Sequence, residues 1–452
     1  MADQAAFPMF PADFVWGAAT ASYQIEGAVT EGGRGPSIWD TFAHEPGRIK
    51  NGDTGDVACD HYHRYAEDVA LMADLGLNAY RFSISWSRIQ PTGRGAANPE
   101  GVAFYDRLVD ALLDRGIAPH ITLFHWDLPQ GLEDTGGWLD RDTAERFAEY
   151  AGLAYAALGD RVARWITLNE PFVYTVYGNA LGIHAPGNAL LGAAFPVAHH
   201  QLLGHGLAVR TLREAGASEI GITQNMAPTW AATDSAEDRT AAARMEAIQN
   251  GTYSDPIFLG RYPDDLATVY PGADLSVIQD GDLEVIGAPL DFLGVNYYAP
   301  NRVRAASPDN PMGFELVEIE DVEHTGFHWP VVPAAFTELL LGLSEKYGDA
   351  LPPVYITENG AAFEDVPDAD GRVDDDRRIA YLDSHLRAVH TAIEAGVDVR
   401  GYFCWSLLDN FEWAEGYSQR FGLVRVDFDG DLRRTPKASF DWYRDLIARH
   451  QP

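Results

Sequence analysis

Short apolar runs rich in β-branched and aromatic residues recur along the chain, and they alternate with segments of helical spacing. The runs predict eight strands, at residues 15–18, 79–84, 120–124, 165–168, 220–224, 292–297, 354–357 and 401–405. Eight strands that alternate with helices imply an α/β protein whose parallel sheet closes into a single (β/α)8 TIM barrel. A doubly wound open sheet is the alternative.

The segment between the last two predicted strands illustrates the helical spacing. Its apolar residues recur at intervals of three and four, at Ile379, Leu382, Leu386, Val389 and Ile393. Such a stripe is typical of a helix that packs one face on a sheet. Similar stripes are formed by Tyr65, Val69 and Met72, and by Phe104, Leu108 and Leu112. In a barrel the polar residues that end the strands should converge on one pocket.

Length and composition favour one large barrel over several domains. The chain has 452 residues and 46% hydrophobic content, and no Ser/Gly-rich, Pro-rich or low-complexity tract marks a linker. We therefore predict a single barrel domain over residues 1–452. The first residues, MADQAAFPMFPADF, lack a basic region followed by an apolar stretch, and no uncharged segment is long enough to span a bilayer. These features predict a cytoplasmic protein with no membrane partner.

The charge of the chain excludes one class of partner. The formal net charge is −34, from 67 acidic against 33 basic residues, and the only lysines are Lys50, Lys346 and Lys437. Such a surface repels nucleic acid and anionic lipid. A GC-rich coding bias explains the scarcity of lysine better than the excess of acid, so adaptation to salt is a second interpretation. The three aspartates at residues 374–376 are expected to form a solvated loop face.

Two of the predicted strands end in a glutamate. The stretch VYITENG at residues 354–360 contains Glu358, and the run at residues 165–168 is followed by Asn169, Glu170 and Pro171. One strand-end glutamate is more often a solvated loop charge, whereas a pair of this kind indicates paired acid chemistry. Cleavage of a glycosidic bond needs such a pair, with one acid to protonate the leaving oxygen and one carboxylate on the other face of the sugar.

Four longer motifs carry a resemblance to a known family. They are FVWGAATASYQIEGA at residues 14–28, TLNEP at 167–171, ITENG at 356–360 and WSLLDNFEWAEGY at 405–417. In this order, and over nearly the whole chain, they resemble the signatures of glycoside hydrolase family 1. The resemblance implies a retaining β-glycosidase that acts on a small-molecule β-glycoside, without a cofactor or metal. The first hypothesis is an exo-acting β-glucosidase with some β-galactosidase or β-fucosidase activity.

The same resemblance implies roles for the two glutamates. Glu170 of the NEP motif corresponds to the acid/base, and Glu358 of the TENG motif corresponds to the nucleophile. Retention requires carboxyl groups roughly 5 to 5.5 Å apart. Arg81, in YRFSISW, corresponds to the arginine that contacts the nucleophile and lowers its pKa, and Tyr298 is placed to donate its hydroxyl. Glu170 needs a raised pKa, which the charge of Glu358 supplies.

The sugar-binding residues are also implied by the resemblance. They are Gln24, His125, Trp126, Asn169, Trp405, Glu412 and Trp413. An anionic Glu412 that faces O4 and O6 would repel a 6-phosphate, so unphosphorylated sugars are expected. Asn225 and Trp329 are expected on the aglycone side, with Trp329 the stronger candidate. Many relatives carry Trp where this chain has Phe172, which leaves the aglycone preference open.

Other residues of chemical interest are expected to be structural. His199, His200 and His205 lie on a predicted helix without a carboxylate at metal-ligand spacing, and His61 and His63 are interpreted in the same way. The glycines at 32, 33 and 35 precede no Lys-Ser/Thr pair, so they predict a loop and not a phosphate site. Two cysteines far apart in apolar settings predict buried free thiols, Cys59 and Cys404.

The sequence is also consistent with two other functions. One is a glycosidase whose physiological work is transfer to an acceptor other than water. The other is a barrel that binds glycans without cleaving them, which the presence of both Glu170 and Glu358 argues against. The natural aglycone, and whether the protein is a monomer or a homo-oligomer, are not decided by the sequence.

Overall fold

The computed structural model describes residues 7–307, 310, 312–369 and 371–450, and its central feature is a closed barrel of eight parallel strands. The strands are β1 (Val15–Thr20), β2 (Ala79–Ser83), β3 (Ala118–Phe124), β4 (Arg164–Asn169), β5 (Ile220–Asn225), β6 (Phe292–Asn296), β7 (Val354–Asn359) and β8 (Val399–Trp405). They pair in chain order, and β8 closes on β1 with Gly401 opposite Val15. The (β/α)8 prediction is confirmed, and the open doubly wound sheet is wrong.

Helices lie between successive barrel strands. The longer α-helices are His61–Asp74, Pro99–Leu113, Asp142–Leu158, Phe195–Ala215, Ala236–Glu246, Pro333–Tyr347, Asp376–Glu394 and Ala438–His450. The shorter ones are Ser22–Ile25, Ile38–Ala43, Trp86–Ile89, Gln130–Glu133, Pro171–Val173, Thr252–Phe258, Leu266–Val269 and Asp282–Ile286. Segments of π-helix are Tyr174–Ala180 and Ala247–Gly251, and 3₁₀ turns are Lys50–Gly52, Gly137–Leu139, Leu191–Ala194, Leu275–Val277, Gly348–Ala350 and Trp413–Glu415.

Two small sheets lie outside the barrel. One joins Thr229–Ala231, Asn301–Ala305 and Phe314–Leu316, and the other joins Val424–Val426 with Arg434–Pro436. The first follows the ends of β5 and β6, so it stands beside the mouth of the barrel.

The helix Asp376–Glu394 shows how the predicted stripes are used. Leu382, Leu386 and Val389 are buried, and the charged residues between them, Asp383 and Arg387, are partly exposed. Burial of each such side chain contributes about 1.5–3 kcal/mol to stability. The three central residues of the predicted stripe are thus buried, whereas Ile379 and Ile393 at its ends are half-buried.

One charged run has a different role from the one expected. Among the aspartates at residues 374–376, the outer two are exposed but Asp375 is buried. Its carboxylate accepts hydrogen bonds from the guanidinium of Arg378 and, at 2.6 Å, from Oγ of Ser439. The expectation of a solvated face is therefore wrong for Asp375, because Arg378 in the next helical turn and Ser439, 64 positions away, supply its partners.

Both cysteines are buried free thiols, as predicted. Burial raises the pKa of the Cys59 and Cys404 thiols, which keeps them protonated and unreactive. Within the described ranges, no helix is long and apolar enough to cross a membrane.

Candidate active site

A cavity of about 850 Å³ lies at the carboxyl ends of the barrel strands. Eleven of the candidate site residues predicted from the sequence line it: His125, Trp126, Glu170, Phe172, Asn225, Tyr298, Trp329, Glu358, Trp405, Glu412 and Trp413. The other three lie behind this wall and bond to it: Arg81 contacts Glu358, Asn169 contacts His125, and Gln24 contacts Glu412. The fold therefore brings the whole predicted set to one place.

Glu358 is held by two donors near the end of β7. Nη1 of Arg81 donates to its Oε1 at 2.6 Å, and the hydroxyl of Tyr298 donates to its Oε2 at 2.6 Å. The register of β7 against β6 shifts between Ile356 and Glu358, an irregularity that re-aims the side chain. A Cβ on Gly360 would lie 1.7 Å from the carbonyl oxygen of Trp405, so only glycine fits after this strand.

Glu170 follows β4 in a strained backbone conformation. Its φ is 47°, in the left-handed region that residues other than glycine seldom adopt. Nδ2 of Asn296 donates to its Oε1 at 2.7 Å, and Nδ2 of Asn225 donates to the same oxygen at 3.3 Å. Two donors on Oε1 make it the unprotonated oxygen of the acid, which leaves the proton for Oε2.

Asn296 also contacts Glu170, and it was not predicted from the sequence. It is the last residue of β6 and stands two positions before Tyr298 in the NYY motif, where a polar strand end was the available signal. Its Oδ1 accepts from Oγ1 of Thr357 at 2.7 Å, so its Nδ2 faces Glu170 and, at 3.1 Å, Oδ1 of Asn169. Asn296 thereby links the ends of β4, β6 and β7.

The surroundings of the two carboxyls separate their proton affinities. Burial, together with the charge of Glu358, raises the pKa of Glu170 to about 8. Burial also raises the pKa of Glu358, but the Arg81 guanidinium and the Tyr298 hydroxyl oppose that rise. Since Glu358 has a cation as a direct partner and Glu170 is bonded to neutral amides, Glu358 ionises first. The pair therefore holds one proton near neutral pH, on Glu170.

His125 and Glu412 are polar groups of the cavity lining, and Gln24 lies behind Glu412. Nε2 of Gln24 donates to the carbonyl oxygen of Phe411 at 2.9 Å and to Oε2 of Glu412 at 3.4 Å. Nε2 of His125 accepts from Nδ2 of Asn169 at 3.0 Å, which places the ring proton on Nδ1. Burial lowers the pKa of His125 well below its usual range, so the ring is a neutral donor.

Glu412 differs in one respect from the expectation. Burial, followed by the charges of Glu358 and Glu170, raises its pKa well above the usual range for a glutamate. The Glu412 carboxyl is therefore less readily ionised, so charge repulsion disfavours a 6-phosphate less than the sequence suggested. A phosphate is still disfavoured, because the acidic side chain of Glu412 cannot supply a positive charge to bind it.

A family model described as "Glycosyl hydrolase family 1" matches residues 7–452. The chain is 47% identical to Beta-glucosidase A of Acetivibrio thermocellus and 48% identical to a bifunctional beta-D-glucosidase/beta-D-fucosidase of Bifidobacterium breve; these matches cover 98% of this chain and 98% and 99% of the relatives. The solved structure of a family 1 b-glucosidase from Thermotoga maritima superposes with a TM-score of 0.94 at 45% identity, over 99% of this chain and all of the other. The chain belongs to glycosyl hydrolase family 1.

The aromatic wall of this family 1 glycoside hydrolase lies beside the two carboxyls. The rings of Trp126 and Trp413 have centroids 4.6 Å apart, and His125 stacks toward Trp405 at 6.0 Å. Nε1 of Trp126 donates to the carbonyl oxygen of Asn169 at 2.9 Å, which fixes the ring next to the loop that carries Glu170. Flat apolar faces of this kind suit the C–H side of a sugar ring.

Further aromatic residues line the same cavity. Trp329 stacks on Phe327 with centroids 4.6 Å apart and lies 5.1 Å from the ring of Tyr298. Phe172 and Asn225, the other residues considered for the aglycone side, also line the cavity. All three candidates therefore line the same cavity as Glu170 and Glu358.

The histidines outside the cavity have protein partners. His199 bonds Asp282 and Tyr262, and His205 bonds Oγ1 of Thr167. The remaining three are also bonded: His200 to the Trp138 carbonyl, His61 to Asp68, and the half-exposed His63 to Asp60 and Glu31. These contacts support the structural interpretation of each.

Proposed function

We propose that the protein is a retaining β-glucosidase in which Glu358 is the nucleophile and Glu170 is the acid/base. The observation that carries this assignment is the pair of environments in one cavity. Glu358 is bonded to Arg81 and Tyr298, which favour its anion, whereas the pKa of Glu170 is raised to about 8. A double displacement needs this division of roles.

In the first step a carboxylate oxygen of Glu358 attacks the anomeric carbon of the glucosyl residue. The bond between that carbon and the glycosidic oxygen breaks, and Glu170 gives its Oε2 proton to this oxygen. The aglycone leaves as an alcohol, and the sugar remains as an α-linked ester of Glu358. Formation of the ester removes the charge that raised the pKa of Glu170, so Glu170 becomes a carboxylate that can act as a base.

In the second step water attacks the anomeric carbon from the face that the aglycone left. Glu170 takes the proton of the water, the ester bond to Glu358 breaks, and glucose leaves in the β configuration. Glu358 is again an anion bonded to Arg81, and Glu170 is again protonated. Both steps use the same pair of side chains, which is why the two environments must differ.

The proposed substrates are terminal non-reducing β-D-glucosyl residues of cello-oligosaccharides and of aryl and alkyl β-glucosides. The carboxyl of Glu412 and the amide of Gln24 are supports for hydroxyls at the end of the sugar remote from the aglycone. The relative from Bifidobacterium breve, which is named for glucosidase and fucosidase activity, supports extension to β-fucosides. We extend the proposal to β-galactosides because Glu412 and Gln24 offer polar groups to the hydroxyls of the sugar.

Two tests address the proposal directly. Proton NMR of a hydrolysis mixture should show β-glucose as the first product, before mutarotation, and α-glucose would reject Glu358 as a nucleophile. Hydrolysis rates on p-nitrophenyl glycosides and cello-oligosaccharides, with and without added alcohols, would distinguish hydrolysis from transfer to an acceptor. Cytoplasmic location, a single domain over residues 1–452 and the oligomeric state remain predictions for fractionation, limited proteolysis and light scattering.

A further inference from the structure

Three side-chain amides, those of Asn301, Gln249 and Asn225, form a hydrogen-bonded relay that ends on Glu170. Nδ2 of Asn301 donates to Oε1 of Gln249 at 2.6 Å, and Nε2 of Gln249 donates to Oδ1 of Asn225 at 2.8 Å. Nδ2 of Asn225 then donates to Oε1 of Glu170 at 3.3 Å. The three residues come from separate elements: β5, the π-helical segment Ala247–Gly251 and the outer strand Asn301–Ala305.

The direction of hydrogen-bond donation along the relay follows from its end at Glu170. The unprotonated oxygen of Glu170 can only accept, so Asn225 must turn its nitrogen toward it and its oxygen away. That oxygen then requires the nitrogen of Gln249, and the oxygen of Gln249 requires the nitrogen of Asn301. Each amide is polarised by the next, so the bonds strengthen together when Glu170 becomes an anion.

We propose that Asn301 and Gln249 are positioning residues that act through Asn225 to hold an N–H on Oε1 of Glu170, and so set the pH above which Glu170 no longer works as an acid. The inference rests on the proposed role of Glu170. Gln249 is buried, and all three amides line the cavity that holds Glu170. The relay therefore joins residues of the cavity lining to Glu170, the proposed acid/base.

Other groups facing Glu170 act on it together with the relay. Glu358 disfavours its ionised form, Arg81 and the amide of Asn296 favour it, and the remaining ionisable neighbours are Glu412, Tyr298 and Tyr177. Asn296 is locked by Thr357 within the barrel. Asn225 is oriented by Gln249, so the relay is the part of this environment that a distant substitution can change.

The test uses the pH dependence of kcat/KM on cellobiose, whose leaving group needs the proton. Gln249→Met leaves Asn225 without the partner that orients it, so donation to Glu170 weakens and the anion is less favoured. The basic limb should move to higher pH by about 0.5 unit, part of the effect of one hydrogen bond to a charged group. The acidic limb, which reports Glu358, should not move.

Two controls separate the relay from general damage. With 2,4-dinitrophenyl β-glucoside, whose leaving group needs no proton, the wild type and Gln249→Met should have equal kcat/KM, because this quantity contains only the steps up to formation of the ester. In an Asn225→Leu background, Gln249→Met should add no further shift of the basic limb, because its effect passes through Asn225. If Gln249→Met does not fold, Asn301→Ala, which removes the first donor, should move the limb in the same direction.

A basic limb that is unchanged in both Gln249→Met and Asn301→Ala would overturn the relay. A shift of equal size in the Asn225→Leu background would also overturn it, because Gln249 would then act on Glu170 directly or through the fold. Failure of the proposed function looks different, because the wild type itself would then show no hydrolysis of cellobiose and no basic limb.

Discussion

Nη1 of Arg81 lies 2.6 Å from Oε1 of Glu358, and both side chains are buried. The guanidinium also donates from Nη1 to the carbonyl oxygen of Thr357 and from Nη2 to Oδ1 of Asn169. One cation thus fixes the nucleophile candidate and the residue that precedes Glu170. The charge state and the geometry of the site depend on the same side chain.

Substitution of Arg81 should change the pH dependence of the enzyme. Arg81→Met removes the positive charge and the hydrogen bond that lower the pKa of Glu358, so this carboxyl should ionise at higher pH. The acidic limb of kcat/KM on p-nitrophenyl β-glucoside should move to higher pH by roughly one unit or more. Arg81→Lys, which keeps the charge but loses the fork geometry, should shift it less. An acidic limb that is the same in all three proteins would contradict the pairing.

Removal of the nucleophile should be rescued by a small anion. Glu358→Gly should lower kcat by roughly 10⁴-fold or more, since the covalent route is lost. Added azide can occupy the vacated face and attack the anomeric carbon of an activated aryl glucoside, which gives the α-azide. Proton NMR of the anomeric position identifies the product, and a β-azide would place the nucleophile elsewhere.

Removal of the acid/base should give the opposite stereochemistry. Glu170→Ala leaves Glu358 able to form the ester, and azide then attacks from the aglycone side to give the β-azide. The fall in kcat/KM should be far smaller for aryl glucosides with good leaving groups than for cellobiose, whose leaving group needs the proton. Equal losses on 2,4-dinitrophenyl β-glucoside and cellobiose would mean that Glu170 does not protonate the leaving group.

Glu412 should distinguish sugars by their hydroxyls. Glu412→Ala should lower kcat/KM on the glucoside and narrow the gap between gluco and galacto substrates, because the other groups of the site lose a partner. Glu412→Gln, which keeps a hydrogen-bonding group, should have a kcat/KM ratio between those of the wild type and Glu412→Ala. The measurement is the ratio of kcat/KM for the two p-nitrophenyl glycosides, and an unchanged ratio would remove Glu412 from the sugar site.

Added salt should stabilise the folded chain. At a formal charge of −34 the protein repels itself. Counterions screen this repulsion over about 10 Å at 0.1 M salt and about 3 Å at 1 M. The melting temperature at pH 7 should therefore rise between 0.05 M and 1 M NaCl, while activity on a neutral glycoside persists. Exposed pairs such as Arg161 with Asp110 contribute only about 0–1 kcal/mol each. A falling melting temperature would mean that such pairs outweigh the net repulsion.

The local pattern of the sequence was sufficient for the barrel. Eight apolar runs and the stripes between them are properties of short segments, so each strand and the helix Asp376–Glu394 was predictable from its own residues. The strand ends also placed Glu170 and Glu358 at one rim, because parallel strands in a closed barrel share a direction. The longer motifs then indicated the sugar-binding set.

What surrounds those residues was decided by the tertiary structure. Asn296 and Glu170 are 126 positions apart, and Asp375 meets Ser439 across 64 positions, so no local pattern indicates either contact. The raised pKa of Glu170 and of Glu412 also arises from burial and from carboxyls on other strands. Hydrogen-bond partners and dielectric surroundings depend on which strand ends meet when the barrel closes. The sequence determined which groups are present, and closure of the barrel determined their charge and orientation.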